Sequence, residues 1–262
     1  MQRTGQFLHP ESGPTGSALP GDNDLPRTPQ ASSSSPSSSE LFPYLIPMCA
    51  YIALGALEGL LPKLDNQPSP AWYLVAYTAK LIAVVCLAWM CRSTWNDLRP
   101  FPTVPNLALA VLVGLVVWGL WVGLDGIYPP IPLLGTGGRV GFDPTALAPI
   151  PRSAFIVVRL LGLVVLVPLI EELFWRSFLI RWLIEPDFQK VPIGRVTVMS
   201  GALTSVFFAL VHPEWLPALV TGLLWAWLLR QTKSVTACVV SHATANLALG
   251  IYIIMTGAWR FW

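Results

Sequence analysis

Charged side chains are scarce. Asp, Glu, Lys and Arg make up 11% of the 262 residues, where soluble domains carry about 25%. Cysteine occurs four times, and Cys49, Cys86, Cys91 and Cys238 all lie in or beside apolar runs without a CxxC pair. That excludes a disulfide framework and a thiolate metal site. The HExxH spacing is missing, as is any internal repeat, and no short basic segment leads into an apolar stretch with a small-residue cleavage site. A net charge of +2 is too small to mark a nucleic-acid partner.

What is abundant is hydrocarbon: 54% hydrophobic residues and a mean hydropathy of +0.59. About 20 apolar residues cross ~30 Å of hydrocarbon at ~1.5 Å per residue. Seven runs approach that length: Leu41–Leu61, Ala71–Cys91, Val104–Leu124, Ala154–Ile184, Val196–His212, Trp215–Arg230 and Ser234–Met255. The fourth is too long for one simple span and contains Pro168, which predicts a helix plus an interfacial turn. The expected fold is an all-α, polytopic transmembrane helical bundle of seven to eight helices.

Residues 1–40 are rich in Ser, Pro and Gly, bury too little apolar surface to offset ordering entropy, and read as a disordered tail. Residues 41–262 form the membrane domain. The Pro/Gly-rich connection from Asp125 to Ser153 reads as an extramembrane loop. With seven spans, nine cations fall on one side (Arg3, Arg27, Arg92, Arg99, Arg181, Lys190, Arg195, Arg230, Lys233) and four on the other (Lys63, Arg139, Arg152, Arg260). The bias places the N-terminus in the cytoplasm and the C-terminus outside.

Function is sought among ionisable groups kept inside apolar runs, at roughly 2.5 kcal/mol or more each near the bilayer centre. Glu58, Lys80 and Arg159 stand near helix ends or alone, and snorkelling or a structural ion pair accounts for them. Glu171, Glu172, Arg176, His212 and His242 are arranged differently. In "EELFWR", Glu172 and Arg176 are four apart on one helical face and can pair, leaving Glu171, about 100° away, as the less compensated carboxylate. A desolvated carboxylate of that kind suits acid–base work near neutral pH. "FALVH" aligns Phe208 with His212, and "HATAN" aligns His242 with Asn246, at the same spacing. Counted from Arg181, Arg195 and Lys233 at ~1.5 Å per residue, Glu171 lies about 15 Å deep, His242 about 13 Å and Asn246 about 19 Å, but His212 about 25 Å. His212 therefore requires a helix that starts after Arg195, tilts or breaks near Pro213.

In this order, on successive late helices, the three motifs resemble the EExxxR, FxxxH and HxxxN motifs of the CPBP family, the CAAX proteases and bacteriocin-processing enzymes. The resemblance covers roughly residues 164–255, the motif core. It implies a multi-helix intramembrane endopeptidase of the glutamate type, with Glu171 and His212 activating water, His242 and Asn246 stabilising the oxyanion, and Glu172 and Arg176 holding the first motif in shape with Phe208. Trp175 and Ser177 flank Arg176 where many relatives read Phe-Arg-Gly. The implied partners are a membrane-anchored peptide or protein substrate and the lipid bilayer, with no cofactor, no metal and no nucleic acid. The implied location is a multi-pass integral membrane protein of a bacterial cell membrane.

Two alternatives stand beside this reading. Two histidines and a glutamate could form a zinc site with an open position for water, although a carboxylate engaged by arginine is a poor ligand. Intramembrane Glu and His also mark proton relays and transport paths, which leaves a transporter or scaffold.

Overall fold

The computed structural model describes residues 38–64, 67–131 and 141–262. The expected disordered tail up to residue 37, and residues 132–140 of the long connection, lie outside the described residues. Seven α-helices follow one another: α1 Ser38–Glu58, α2 Pro70–Met90, α3 Val104–Gly123, α4 Pro149–Trp182, α5 Val198–Leu210, α6 Trp215–Thr232 and α7 Val235–Thr256. Among the described residues, extended structure is limited to the two-residue antiparallel pair β1 (Lys63–Leu64) and β2 (Gln67–Pro68) between α1 and α2. The fold is an all-α helical bundle. Five helices, α1 to α4 and α7, are long and apolar enough to cross a membrane. The protein is an integral membrane protein.

The helix boundaries follow the apolar runs to within a few residues, because backbone donors and acceptors inside hydrocarbon must be satisfied within the segment itself. One expectation is corrected. The fourth run is a continuous helix of 34 residues, not a helix plus a turn. It starts at Pro149, so Pro149–Ser153 are helical and do not belong to the extramembrane loop. Proline fits there because the first turn needs no N–H from it.

Two glycines set the packing that positions the late helices. A Cβ on Gly114 of α3 would stand 2.4 Å from the Ser241 carbonyl oxygen and 2.8 Å from Thr244 Cβ on α7, and one on Gly222 of α6 would stand 2.8 Å from Ser205 of α5. Small residues at such crossings let the helices pack backbone to side chain, the main source of association between apolar helices in lipid. The buried core around them contains Trp175, Phe208, Trp225 and Ala245.

Candidate active site

The site is built on α4. Its segment Val167–Glu172 carries both glutamates in α-helical geometry and lies between two wider π-helical stretches, Gly162–Leu166 and Leu173–Leu179. Pro168 bears on the first. The Val167 N–H bonds the Gly162 carbonyl five residues back. The next bond in that register would run from residue 168 to the Leu163 carbonyl, and proline has no N–H to give. Asn246 of α7 supplies it instead: its Nδ2 donates to Leu163 O at 2.7 Å. An amide NH₂ carries two donors, so this bond commits one of them.

Glu172 is fully buried and touches two other motif residues. Its Oε2 lies 3.2 Å from Arg176 Nε, a charge contact one turn along α4, and its Oε1 accepts from His242 Nδ1 at 2.9 Å. A carboxylate only accepts, so the Nδ1 proton of His242 resides on this bond. The ion pair expected between Glu172 and Arg176 is present, and Glu172 also orients His242. Sequence spacing within one helix gave no access to that second contact.

Arg176 lies between two aromatic faces, 4.9 Å from the Phe208 ring of α5 and 5.0 Å from the Trp225 ring of α6. His242 stacks on the same Trp225, with centroids 4.4 Å apart at 29°. Trp225 thus joins α6 to both charged groups, and its indole N–H donates to Ser241 Oγ at 3.0 Å. It is a site residue that the sequence reading missed. Nothing marks one tryptophan among apolar neighbours in a chain with 12 of them. The Ser241 hydroxyl is buried in this bond, as part of the packing around Trp225.

His212 sits just past the end of α5. Its Nδ1 bonds the Phe208 carbonyl oxygen at 2.7 Å, which only accepts, so Nδ1 carries the proton of this bond. Its ring also packs on Phe208 at 4.4 Å and Trp121 at 5.8 Å. The helix starts at Val198 and stops at Leu210, ahead of Pro213, which takes about 4.5 Å off the depth counted from Arg195. Phe208 faces Arg176. One turn outward along each of these oppositely running helices reaches Glu172 on α4 and His212 beyond α5, so the two stand at the same level. Glu171 is buried one residue before Glu172. The turn after His212 is anchored when Trp215 Nε1 donates to Pro129 O at 2.9 Å. Beside it, burial and the carboxylates of Glu214 and Asp125 push the Tyr128 hydroxyl up to about 12.

A second polar network braces the far end of α4. Asp97, in the turn after α2, accepts from Tyr44 Oη at 2.7 Å, Ser177 Oγ at 2.5 Å and Arg181 Nη2 at 2.5 Å. Arg181 also donates to the Ser177 carbonyl and to Val191 O. It is buried, a structural cation rather than an exposed edge charge. Ser177 uses its hydroxyl here.

Among the described residues, no three His, Cys, Asp or Glu side chains gather as a metal-binding group. Glu172, which a zinc site would draw on, is occupied by Arg176 and His242.

Residues 153–248 match the family model of Rce1-like type II CAAX prenyl endopeptidases. No characterised protein and no solved structure matches the chain closely enough to count as a relative. The matched segment contains Glu171, Glu172, Arg176, Phe208, His212, His242 and Asn246, all three motifs that meet at Trp225 and Glu172, and over these residues the chain is similar to the CAAX-type endopeptidases, which are proteases.

Proposed function

We propose that the protein hydrolyses a peptide bond of a membrane-anchored peptide or protein by a glutamate mechanism. Glu171 and His212 activate the water, and His242 and Asn246 receive the oxyanion. The observation that carries this reading is the double engagement of Glu172 by Arg176 and His242. Glu172 holds partners in place, and the role of base falls to its neighbour Glu171.

The chemistry follows from the donor pattern. Glu171 takes a proton from water, assisted by the Nε2 lone pair of His212, and the hydroxide adds to the scissile carbonyl. The developing oxyanion needs N–H donors. His242 donates through Nε2 only as the imidazolium, because its Nδ1 proton is held by Glu172. Asn246 contributes the amide hydrogen that Leu163 does not use. The protonated Glu171–His212 pair then returns a proton to the leaving amine.

The test uses the purified full chain in detergent with a panel of anchored peptides. Glu171→Gln and His212→Ala each lower cleavage by roughly 10²–10⁴-fold, the range for loss of general acid–base catalysis, without loss of folded protein. Exhaustive chelation leaves cleavage intact. Stoichiometric zinc lost in parallel with activity, and activity restored by zinc, overturns the glutamate mechanism and makes His212 and His242 ligands. Absence of cleavage across the panel by folded protein overturns the protease reading in favour of a transporter or scaffold.

A further inference from the structure

A second charged cluster, between α1, α2 and α4, takes no part in the proteolytic site. Glu58 and Lys80 pair at 2.8 Å, so their charges cancel. Lys80 Nζ also lies 4.7 Å from the Tyr77 ring. Arg159 approaches the same ring at 4.9 Å and is boxed by Tyr73 at 6.0 Å, Phe155 at 6.0 Å and Trp262 at 5.3 Å. It is 8% exposed, its Nη1 contacts Tyr73 Oη at 2.8 Å, and no carboxylate among the described residues pairs with it. Guanidinium does not deprotonate. Two cations therefore share one ring, and the Glu58 carboxylate is taken by Lys80. Cation–π contacts offset only part of the cost of burying the charge. Three buried donors of this cluster have no hydrogen-bond partner: Arg159 Nε, Tyr77 Oη and Trp262 Nε1.

Beside the cluster runs an apolar groove of about 310 Å³ between α2 and α4, walled by Leu81, Val85, Trp89, Leu161, Gly162 and Val165 among others. Tyr77 Oη would stand 2.9 Å from a Cβ at Gly162, so the hydroxyl lies against the groove wall one turn along α4 from Arg159. Val85, Trp89, Leu161 and Val165 are more than half exposed, so the groove opens on the outer face of the bundle, where a membrane protein meets hydrocarbon. Depth identifies what fills it. Arg159 lies 22 residues before Arg181 on one continuous helix, about 33 Å at ~1.5 Å per residue, which is the thickness of the hydrocarbon layer. Arg181 bonds Asp97 and Val191 of the connections at one end of the bundle, which sets its level there, so Arg159 stands at headgroup level on the other side and the groove residues stand inside the layer.

We propose that Arg159, Tyr77 and Trp262 form an anion site for the acidic headgroup of a bilayer lipid whose acyl chain lies in the groove between α2 and α4. The lipid supplies acceptors for the three orphaned donors, while its chain covers the open apolar wall. The assignment is independent of the proteolytic mechanism.

The test is lipid retention by the full-length protein, exchanged into nanodiscs of mixed phosphatidylglycerol and phosphatidylcholine, then extracted and quantified by mass spectrometry. Wild type retains phosphatidylglycerol with about tenfold or greater preference, as expected for hydrogen bonds to a charged group. Arg159→Gln removes the preference, and Tyr77→Phe, which keeps the ring against both cations, weakens it several-fold. Arg92→Gln, an exposed cation beside Trp89 at the opposite boundary, leaves the preference unchanged. If Arg159→Gln does not fold, Val165→Trp blocks the groove from its exposed side, and the retained lipid is lost from a folded protein. Unchanged preference in folded Arg159→Gln, or undiminished retention in Val165→Trp, overturns the proposal. So does a wild type without lipid preference in which Arg159→Gln raises KM only for peptides with a free C-terminal carboxylate, since that result assigns the box to the substrate.

Discussion

Glu172 is the residue through which the site is held together. One oxygen faces Arg176 and the other His242, so a neutral substitute fails at two contacts. Glu172→Gln leaves the Arg176 guanidinium buried between Phe208 and Trp225 without a counter-charge, which costs on the order of 3–5 kcal/mol. It also replaces the charged acceptor of the His242 Nδ1–H by a neutral one. Both the melting temperature and kcat therefore fall for Glu172→Gln, whereas Glu171→Gln lowers kcat with melting behaviour near that of wild type. Equal melting of Glu172→Gln and wild type removes the bracing role. At this scale, the sequence exposed what hydrocarbon makes costly: Glu171, Glu172, Arg176, His212, His242 and Asn246 all stand out because polar groups there need a reason. It concealed Trp225, whose apolar ring matches its surroundings although it contacts both Arg176 and His242, and Asp97, which lies outside the apolar runs.

The informative element is the first π stretch of α4. Pro168 leaves the Leu163 carbonyl without a donor in the π register, and Asn246 of α7 fills the gap. Asn246 thus has a structural task in addition to the chemical one proposed for it, and the two are separable. Asn246→Ala orphans a buried carbonyl and lowers stability by about 1–3 kcal/mol. Adding Pro168→Ala restores an N–H at residue 168, which bonds Leu163 O and recovers most of that stability. Cleavage does not recover, because the amide hydrogen for the oxyanion is still missing. Recovery of activity together with stability in the double variant assigns Asn246 a structural task alone. Helix positions were legible because apolar runs of ~20 residues leave few alternatives. The continuity of α4 was not: proline ordinarily signals a break, and its rescue comes from a side chain 83 residues away. Part of the depth counted for His212, about 4.5 Å, came from residues between Arg195 and the Val198 helix start.

At the scale of the whole molecule, three connections converge on one face. Gly194, between α4 and α5, meets Lys233, between α6 and α7, with its Cβ position 2.7 Å from Lys233 Cγ. Ser234 Oγ and Thr236 Oγ1 donate to Pro100 O at 2.8 Å and Leu98 O at 2.6 Å, in the connection between α2 and α3. These connections, with the helix ends that lead into them, hold Arg92, Arg99, Arg181, Lys190, Arg195, Arg230 and Lys233. Basic residues gather on the cytoplasmic side, and on that ground we propose that this face is the cytoplasmic one. The number of crossings does not depend on how deeply α5 and α6 insert. They form a hairpin that leaves from and returns to this face, and only α1, α2, α3, α4 and α7 decide parity. These are the five helices long and apolar enough to span, and an odd number puts the two ends of the bundle on opposite sides. A reporter at Gln189, between α4 and α5, therefore reads as cytoplasmic, and one fused after Trp262 reads as extracytoplasmic. Both reporters on one side would mean that one of the five does not cross. The 34-residue α4 is the first to re-examine, because its ~51 Å length exceeds the hydrocarbon thickness and requires tilt or an end outside the layer.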